Sequence, residues 1–246
     1  MTALWVIVPA YQEEARIGAT LRALAGQHDR DFTLLVIDNG STDTTREQVL
    51  AFADRAPFPV ELLVEPQKGV GCAVDTGFRH AIDHGATLLA RTDADCLPEP
   101  GWTAAARAGM LACGGLVCGR VTARRDEHGP IGRTVFRVLV ALGAFFGRIR
   151  PAHRRRHGYL TPYRMHAGNN MAITADLYLD SGGMPRRPSP TDRAFINQIR
   201  LISTAIVHRR DMVVQNSTRR IRAYGLRGTA RWYLERGAGH RSVDVR

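Results

Sequence analysis

The feature that most constrains this chain is a repeated pairing: a short continuous apolar run, then a segment with apolar residues at helical spacing. "LWVIVPAY" is ended by Pro9 and leads into Ile17, Leu21 and Leu24 at i, i+4 and i+7, a helix closing near Gly26. "FTLLVI" precedes a helix from about Thr44 that carries Val49, Leu50 and Ala53; "VELLV" precedes Val70, Val74, Phe78 and Ala81. "ATLLART" precedes "GWTAAARAGMLA", and "GLVCGRV" closes the series. Continuous rather than alternating apolar runs suit strands buried on both faces. Strand and helix alternating about every 25 to 30 residues predict an α/β fold, a mostly parallel sheet flanked by helices on both faces.

In open sheets of this kind ligands bind beyond the carboxyl ends of the strands. Those ends are "VPAYQEE", "VIDNGSTD", "VEPQKGVG" and "RTDADC", each a polar or Gly/Pro-rich turn after an apolar run. In an extended segment Asp93 and Asp95 share a face. Two carboxylates so placed repel each other, and a divalent cation resolves the repulsion, completing its shell with substrate phosphates and water. Turn formation and capping of a following helix are the bland explanation of the same pair. In "IDNGSTDTT", Thr44 and Glu47 have capping-box spacing. Capping does not account for Asp38 and Asn39, which precede the helix and can hydrogen-bond a base or a ribose. "QKGVGCAVDTG" is neither GxxxxGK[ST] nor GxGxxG, which excludes a Walker loop and a dinucleotide fingerprint.

Charge divides the chain. Residues 1–123 carry 10 Lys+Arg against 15 Asp+Glu, net −5, and residues 124–246 carry 24 against 8, net +16. Arg154, Arg155 and Arg156 make either a solvated face or a surface that attracts a phosphate-bearing acceptor, an anionic membrane or nucleic acid. Nucleic acid is disfavoured, since neither a zinc-finger spacing nor an RNP-like aromatic pattern is present. The apolar stretch "TVFRVLVALGAFFG" is too short for a membrane span. It is expected to be a core or sheet-covering helix, with a helix lying in a membrane interface as the alternative. Cys72, Cys96, Cys113 and Cys118 form no CxxC pair and are expected to be reduced thiols. No basic and apolar leader precedes "LWVIVPAY", so the expected location is the cytoplasm, with peripheral contact on the inner membrane face in the alternative reading. The glycine-broken, basic tail "GLRGTARWYLERGAGHR" is expected to be mobile or surface-docked.

Six segments in order, "VIVPAYQEEARIGATLRAL", "VIDNGSTDTT", "KGVGCAVDTGFRHA", "RTDADCLPEPGW", "GNNMAI" and "TDRAFINQIR", resemble the family 2 glycosyltransferases, which use the GT-A fold. The resemblance extends over about residues 4 to 220 and implies a single GT-A domain over 1–246. Residues 1–123 would be its nucleotide-sugar half, and residues 124–246 its acceptor and catalytic-base half with a basic tail. It further implies that Pro9, Ala10, Tyr11 and Glu13 form the first nucleotide-contacting turn. Asp38 and Asn39 would contact the base, Lys68 would lie near it, and Asp93, Ala94 and Asp95 would be the DxD motif, with Asp95 and Asp93 at the metal. Gly168, Asn169 and Asn170 would lie near the sugar and acceptor, and Asp192 would be the catalytic base. Two positions depart from the family: Asn39 replaces a common Asp, and Thr191 replaces a common Glu.

The implied reaction is an inverting transfer from a UDP- or GDP-sugar to a glycan or lipid-linked hydroxyl, with Mn or Mg. Arg219 and Arg220 are either solvated or close to the diphosphate or an anionic acceptor. A sugar-phosphate nucleotidyltransferase is the architectural rival. Its glycine-rich loop with Thr-Arg after the first strand is missing.

Overall fold

The computed structural model describes residues 3–127, 129–149, 158–164, 166–186 and 191–219. Its eight strands are β1 (Leu4–Ala10), β2 (Phe32–Asp38), β3 (Val60–Val64), β4 (Leu88–Thr92), β5 (Leu97–Pro98), β6 (Leu116–Ala123), β7 (Asn170–Thr174) and β8 (Ile206–Asn216). They form one sheet in the order β3-β2-β1-β4-β7-β6-β8-β5. β3, β2, β1 and β4 run parallel, as do β6 and β8. β7, from the basic half, is wedged antiparallel between β4 and β6, and short β5 lies antiparallel to β8. The sheet therefore joins the acidic and basic halves directly.

The helices are α1 (Ile17–Ala25), α2 (Thr45–Ala53), α3 (Val70–Asp83), α4 (Trp102–Cys113), α5 (Pro130–Ile149), α6 (Ala175–Asp180) and α7 (Thr191–Ile202). All seven residues of β1 are buried, and alternate residues serve opposite cores. Leu4, Val6 and Val8 pack with Leu21 and Leu24 of α1, Val49 of α2 and Trp102 of α4. Trp5 and Ile7 pack with Val74 and Phe78 of α3, Tyr178 of α6 and Phe195 of α7. This two-sided burial is why the strand sequences read as unbroken apolar runs.

Two local expectations are corrected. Thr44 and Glu47 do not form a capping box: the Thr44 backbone N–H and hydroxyl both donate to Glu14 Oε2, at 3.2 and 3.0 Å. A carboxylate from the β1–α1 loop thus caps α2 from outside. The second correction concerns the apolar stretch after Arg133. It is helical and lies against β6 on one side, as a sheet-covering helix does, but it is not a core helix, for its Ile131, Val135, Val138, Leu139 and Leu142 side is exposed. Arg154, Arg155, Arg156, Arg220 and the basic tail lie outside the described residues.

Strand order fixes where a crevice opens. The chain runs outward from β1 through β2 to β3, then returns to place β4 on the other side of β1. The loops after β1 and β4 diverge at this switch, where doubly wound sheets bind ligands.

Candidate active site

The loops after β1, β2 and β3 lock together before any ligand arrives. Gln12, at φ 54°, presents Oε1 to the backbone N–H of Thr42 at 2.7 Å and of Asp43 at 3.3 Å. In return the Gln12, Glu13 and Glu14 N–H groups donate to Ser41 Oγ, Thr45 Oγ1 and Asp43 Oδ2 at 3.0, 2.9 and 3.1 Å. Asp38, fully buried, accepts from Gly40 N–H, Ser41 N–H and the Arg46 guanidinium. Asn39 Nδ2 donates to the carbonyls of Glu65 and Gln67, both at 2.8 Å, and its Oδ1 accepts from Gly69 N–H at 2.8 Å. Asn39 thereby holds the β3–α3 turn, where Gly69 has φ 135°, a conformation open to glycine. One lone pair of its amide oxygen remains beyond the Gly69 bond. Lys68 donates to the Asn39 carbonyl at 2.8 Å, and its ammonium stands 3.6 Å from the Tyr11 ring centroid. Pro9 and Ala10 are strand residues paired with Ile37 and Asp38, so they contribute backbone and shape.

Across the switch point, Arg219 closes the gap between β1 and β4. Its guanidinium donates to Glu13 at 2.6 and 2.9 Å and lies 3.1 Å from Asp95 Oδ2. Glu127 sets this reach by accepting from Ser217 Oγ, Thr218 N–H and Thr218 Oγ1, which anchors the chain just before Arg219. Burial pushes the Glu13 carboxyl above its ordinary value, and Arg219 opposes the shift. The sequence left Arg219 either solvated or close to a diphosphate or anionic acceptor, and it indicated neither carboxylate partner.

Asp93, Ala94 and Asp95 follow the end of β4 instead of lying on it, so they are not the same-face pair of an extended segment. The Cys96 N–H donates to the Asp93 carbonyl at 3.0 Å, closing a turn. Thr20 Oγ1 on α1 donates to the Ala94 carbonyl at 2.7 Å and pins that turn to the sheet. Asp93 and Asp95 consequently face different partners. Asp95 looks to Arg219, with the Cys96 thiol at 3.3 Å from Oδ1. Burial and the neighbouring carboxylates raise the Cys96 thiol well above its ordinary value, keeping it protonated.

Asp93 looks to Arg91, a residue that sequence reasoning passed over. Only 1% exposed, Arg91 lies 3.0 Å from Asp93 Oδ1 and donates to Asp192 Oδ1 at 2.9 Å. A single buried guanidinium therefore ties the β4 turn to the first turn of α7, 101 positions away. The available signal was a charge inside the apolar run "TLLART"; buried charges persist where they are paired. Asp93, Asp95 and Asp192 repel one another, and burial raises Asp93 further, with Arg91 opposing. Gly168 packs directly against the Asp192 carboxylate, where any Cβ would overlap it.

The other two residues of "GNN" part company. Asn169 Nδ2 donates to Asn216 Oδ1 at 2.5 Å, beside the Cys96 thiol and close to the Asp95 turn. Asn170 is fully buried in the core: it accepts from Trp102 Nε1 at 2.8 Å and donates to the Arg120 and Met212 carbonyls. It stitches β7 to β6 and β8.

His166 joins the site from the same segment. Both ring nitrogens are buried and have no hydrogen-bond partner among the described residues. Burial depresses the imidazole to about 4, against the opposing pull of Asp192 and with help from His208 and Arg91. The folded-state pKa lies below the unfolded value, so stability is complete above about pH 6.5 and is lost as pH falls toward 4. The expected loss from this group is on the order of 3 kcal/mol. Urea unfolding at pH 7 and pH 4.5 measures it, with His166→Gln as the comparison. A variant that loses as much stability as the wild type removes His166 as the cause.

Around the switch point four carboxylates, Glu13, Asp93, Asp95 and Asp192, are in direct contact with two guanidinium groups, those of Arg91 and Arg219. No group of three or more His, Cys, Asp or Glu able to hold a metal is found among the described residues. This donor set does not form a protein-made cage. It fits a hard cation that takes one carboxylate, Asp95, and completes its shell from phosphates and water. Such a cation would also offset the local excess of negative charge.

Comparison with known proteins agrees with this architecture. Over 91% of the chain the fold matches TarS 1-349 of S. aureus, with TM-score 0.63, 18% identity and 62% of that chain covered. It also matches the mannosyltransferase PcManGT of Pyrobaculum calidifontis, crystallised with GDP-Man and Mn2+, with TM-score 0.60 and 22% identity over 96% of this chain and 65% of that one. These are GT-A folds, and the sheet described above is one as well. In sequence, glycosyltransferase AglE of Haloferax volcanii is 35% identical over 100 residues, 39% of this chain and 32% of that protein. Validoxylamine A glucosyltransferase of Streptomyces hygroscopicus subsp. limoneus is 36% identical over 99 residues, 39% of this chain and 21% of its own length. The matches thus span about a third or less of those curated relatives. The profile described as Glycosyl transferase family 2 matches residues 5–175, ending before Asp192. Because that match takes in well over half of the sequence, the chain belongs to glycosyl transferase family 2.

Proposed function

We propose that this glycosyltransferase moves a sugar from a nucleoside-diphosphate sugar to an acceptor hydroxyl with inversion, assisted by a divalent cation. The observation that carries the reading is the Arg91 bridge, which sets the carboxylate of Asp192 beside the Asp93–Asp95 turn at the strand switch. The nucleotide lies over the loops after β1, β2 and β3, with Tyr11 and Lys68 at the base. The donor is a UDP- or GDP-sugar, a reading supported by the UDP bound to TarS and the GDP-Man bound to PcManGT. Residues 1–123 hold it, the second half supplies Asp192, and the whole chain works as one GT-A unit.

Asp192 accepts the proton of the attacking hydroxyl, which requires hydrogen-bond reach in the complex. Arg91 fixes the Asp192 carboxylate through its 2.9 Å bond and sets a positive charge beside it in a site shared with other carboxylates. Gly168 leaves space for that carboxylate, and Arg219 presents cationic donors on the diphosphate side. Asp95, with Asp93 in support, would hold the Mn or Mg ion, whose Lewis acidity stabilises the charge gathering on the departing nucleoside diphosphate. The acceptor is a glycan or lipid-linked hydroxyl, with cytoplasmic chemistry at the inner membrane face.

A panel of UDP- and GDP-sugars, screened by thermal unfolding with and without MnCl2, tests the reading. A cognate donor at 100 times its Kd adds about 2.7 kcal/mol. In a chain of this size that raises Tm by about 5 to 10 °C. Asp95→Ala is expected to abolish the manganese-dependent part of the rise. If no sugar nucleotide stabilises the protein in either condition, the donor assignment is wrong.

A further inference from the structure

Helix α5 contradicts the economy of the rest of the fold. At 100° per residue Ile131, Val135, Val138, Leu139 and Leu142 fall within an arc of about 100°. All five are exposed, from 37% at Leu139 to 82% at Ile131. The other side of the helix, where Phe136, Val140 and Ala144 are half buried, rests against β6. Arg133 and Arg137 sit on the flank away from the exposed arc. No helix among the described residues is long and apolar enough to cross a membrane.

Charge selects what covers this face. From His128 to Ala175 the sequence contains eight arginines and no Asp or Glu. A second copy of the chain would bring another half of net charge +16 against the first. Residues 220–246 carry seven Arg against two acids, net +5, a charge of the same sign that supplies no attraction to this stretch. An anionic bilayer is complementary on both counts, because it accepts an apolar helix face in its interfacial layer and attracts a stretch of sequence that is rich in arginine and free of acids. We propose that α5 docks the protein on an anionic membrane surface, with the Ile131–Leu142 face buried among the acyl chains. This deepens the acceptor reading by favouring a lipid-linked hydroxyl, and it rests on that reading only for the acceptor's identity.

Flotation of the full chain with vesicles of phosphatidylcholine alone, and with about 30% phosphatidylglycerol added, tests the proposal without any donor. Partition onto the anionic vesicles is expected to exceed that onto neutral ones at least about tenfold and to weaken at high salt. Val138→Glu combined with Leu142→Glu alters only exposed positions and is expected to lower the partition about tenfold, with an unchanged melting temperature. Binding that survives the double substitution overturns the proposal, as does failure of the wild type to float with anionic vesicles. A dimer in vesicle-free solution that the same substitutions dissociate also overturns it, by assigning the face to a second copy. Any of these failures leaves sugar transfer itself standing.

Discussion

Asp192→Asn is expected to lower the rate of sugar transfer by about 10²- to 10⁴-fold, the range that a positioned general base contributes. The amide keeps an oxygen for the Arg91 bond and the shape that Gly168 accommodates, so the fold and the donor loops stay as they are. What it loses is the capacity to take a proton. Donor affinity, measured by calorimetry with manganese present, is therefore expected to change by no more than about threefold, well under 1 kcal/mol. The decisive comparison is between the two quantities. A variant that loses donor affinity in proportion to its rate would make Asp192 a binding residue.

Arg91→Met is expected to have the largest effect on stability. The replacement fills much of the same volume but leaves Asp93 and Asp192 facing each other without the cation between them. Breaking a buried ion pair by removing one partner costs about 3 to 5 kcal/mol. Because Asp93 and Asp192 keep partial access to water, with side-chain exposures of 31% and 37%, the lower end of that range applies. Urea unfolding near neutral pH measures it. Lowering the pH toward 4 is expected to shrink the deficit, since protonating either carboxylate relieves the repulsion that Arg91 otherwise neutralises. A deficit that stays constant with pH would trace the cost to packing.

Much of the fold was legible because its signals are local. An unbroken apolar run and a helical repeat each lie within a dozen residues, and their alternation implied the layers. The direction of β7 was not legible, since an apolar strand carries no mark of its polarity relative to neighbours still to be chosen by the chain. Helix α5 was legible only in part for a related reason: its packing against the sheet was expected, but periodic apolar residues do not show that a second face is left exposed. At the site, residue types at strand ends pointed to Asp93 and Asp95, and the family resemblance pointed to Asp192 in the first turn of α7. Arg91 escaped, as did the carboxylate partners of Arg219, because these contacts join positions 101 and 206 residues apart, a distance no local pattern spans. Asn39 illustrates the converse, a polar side chain whose amide is largely engaged by neighbouring backbone.

The mutual bonding of Gln12, Glu13 and Glu14 with the Ser41–Thr45 turn has an entropic consequence. Loops that must freeze when a ligand arrives forfeit conformational freedom at that moment and weaken the complex accordingly. Here that freedom has already been surrendered during folding, so this end of the crevice is a finished mould for the nucleoside proposed to bind there.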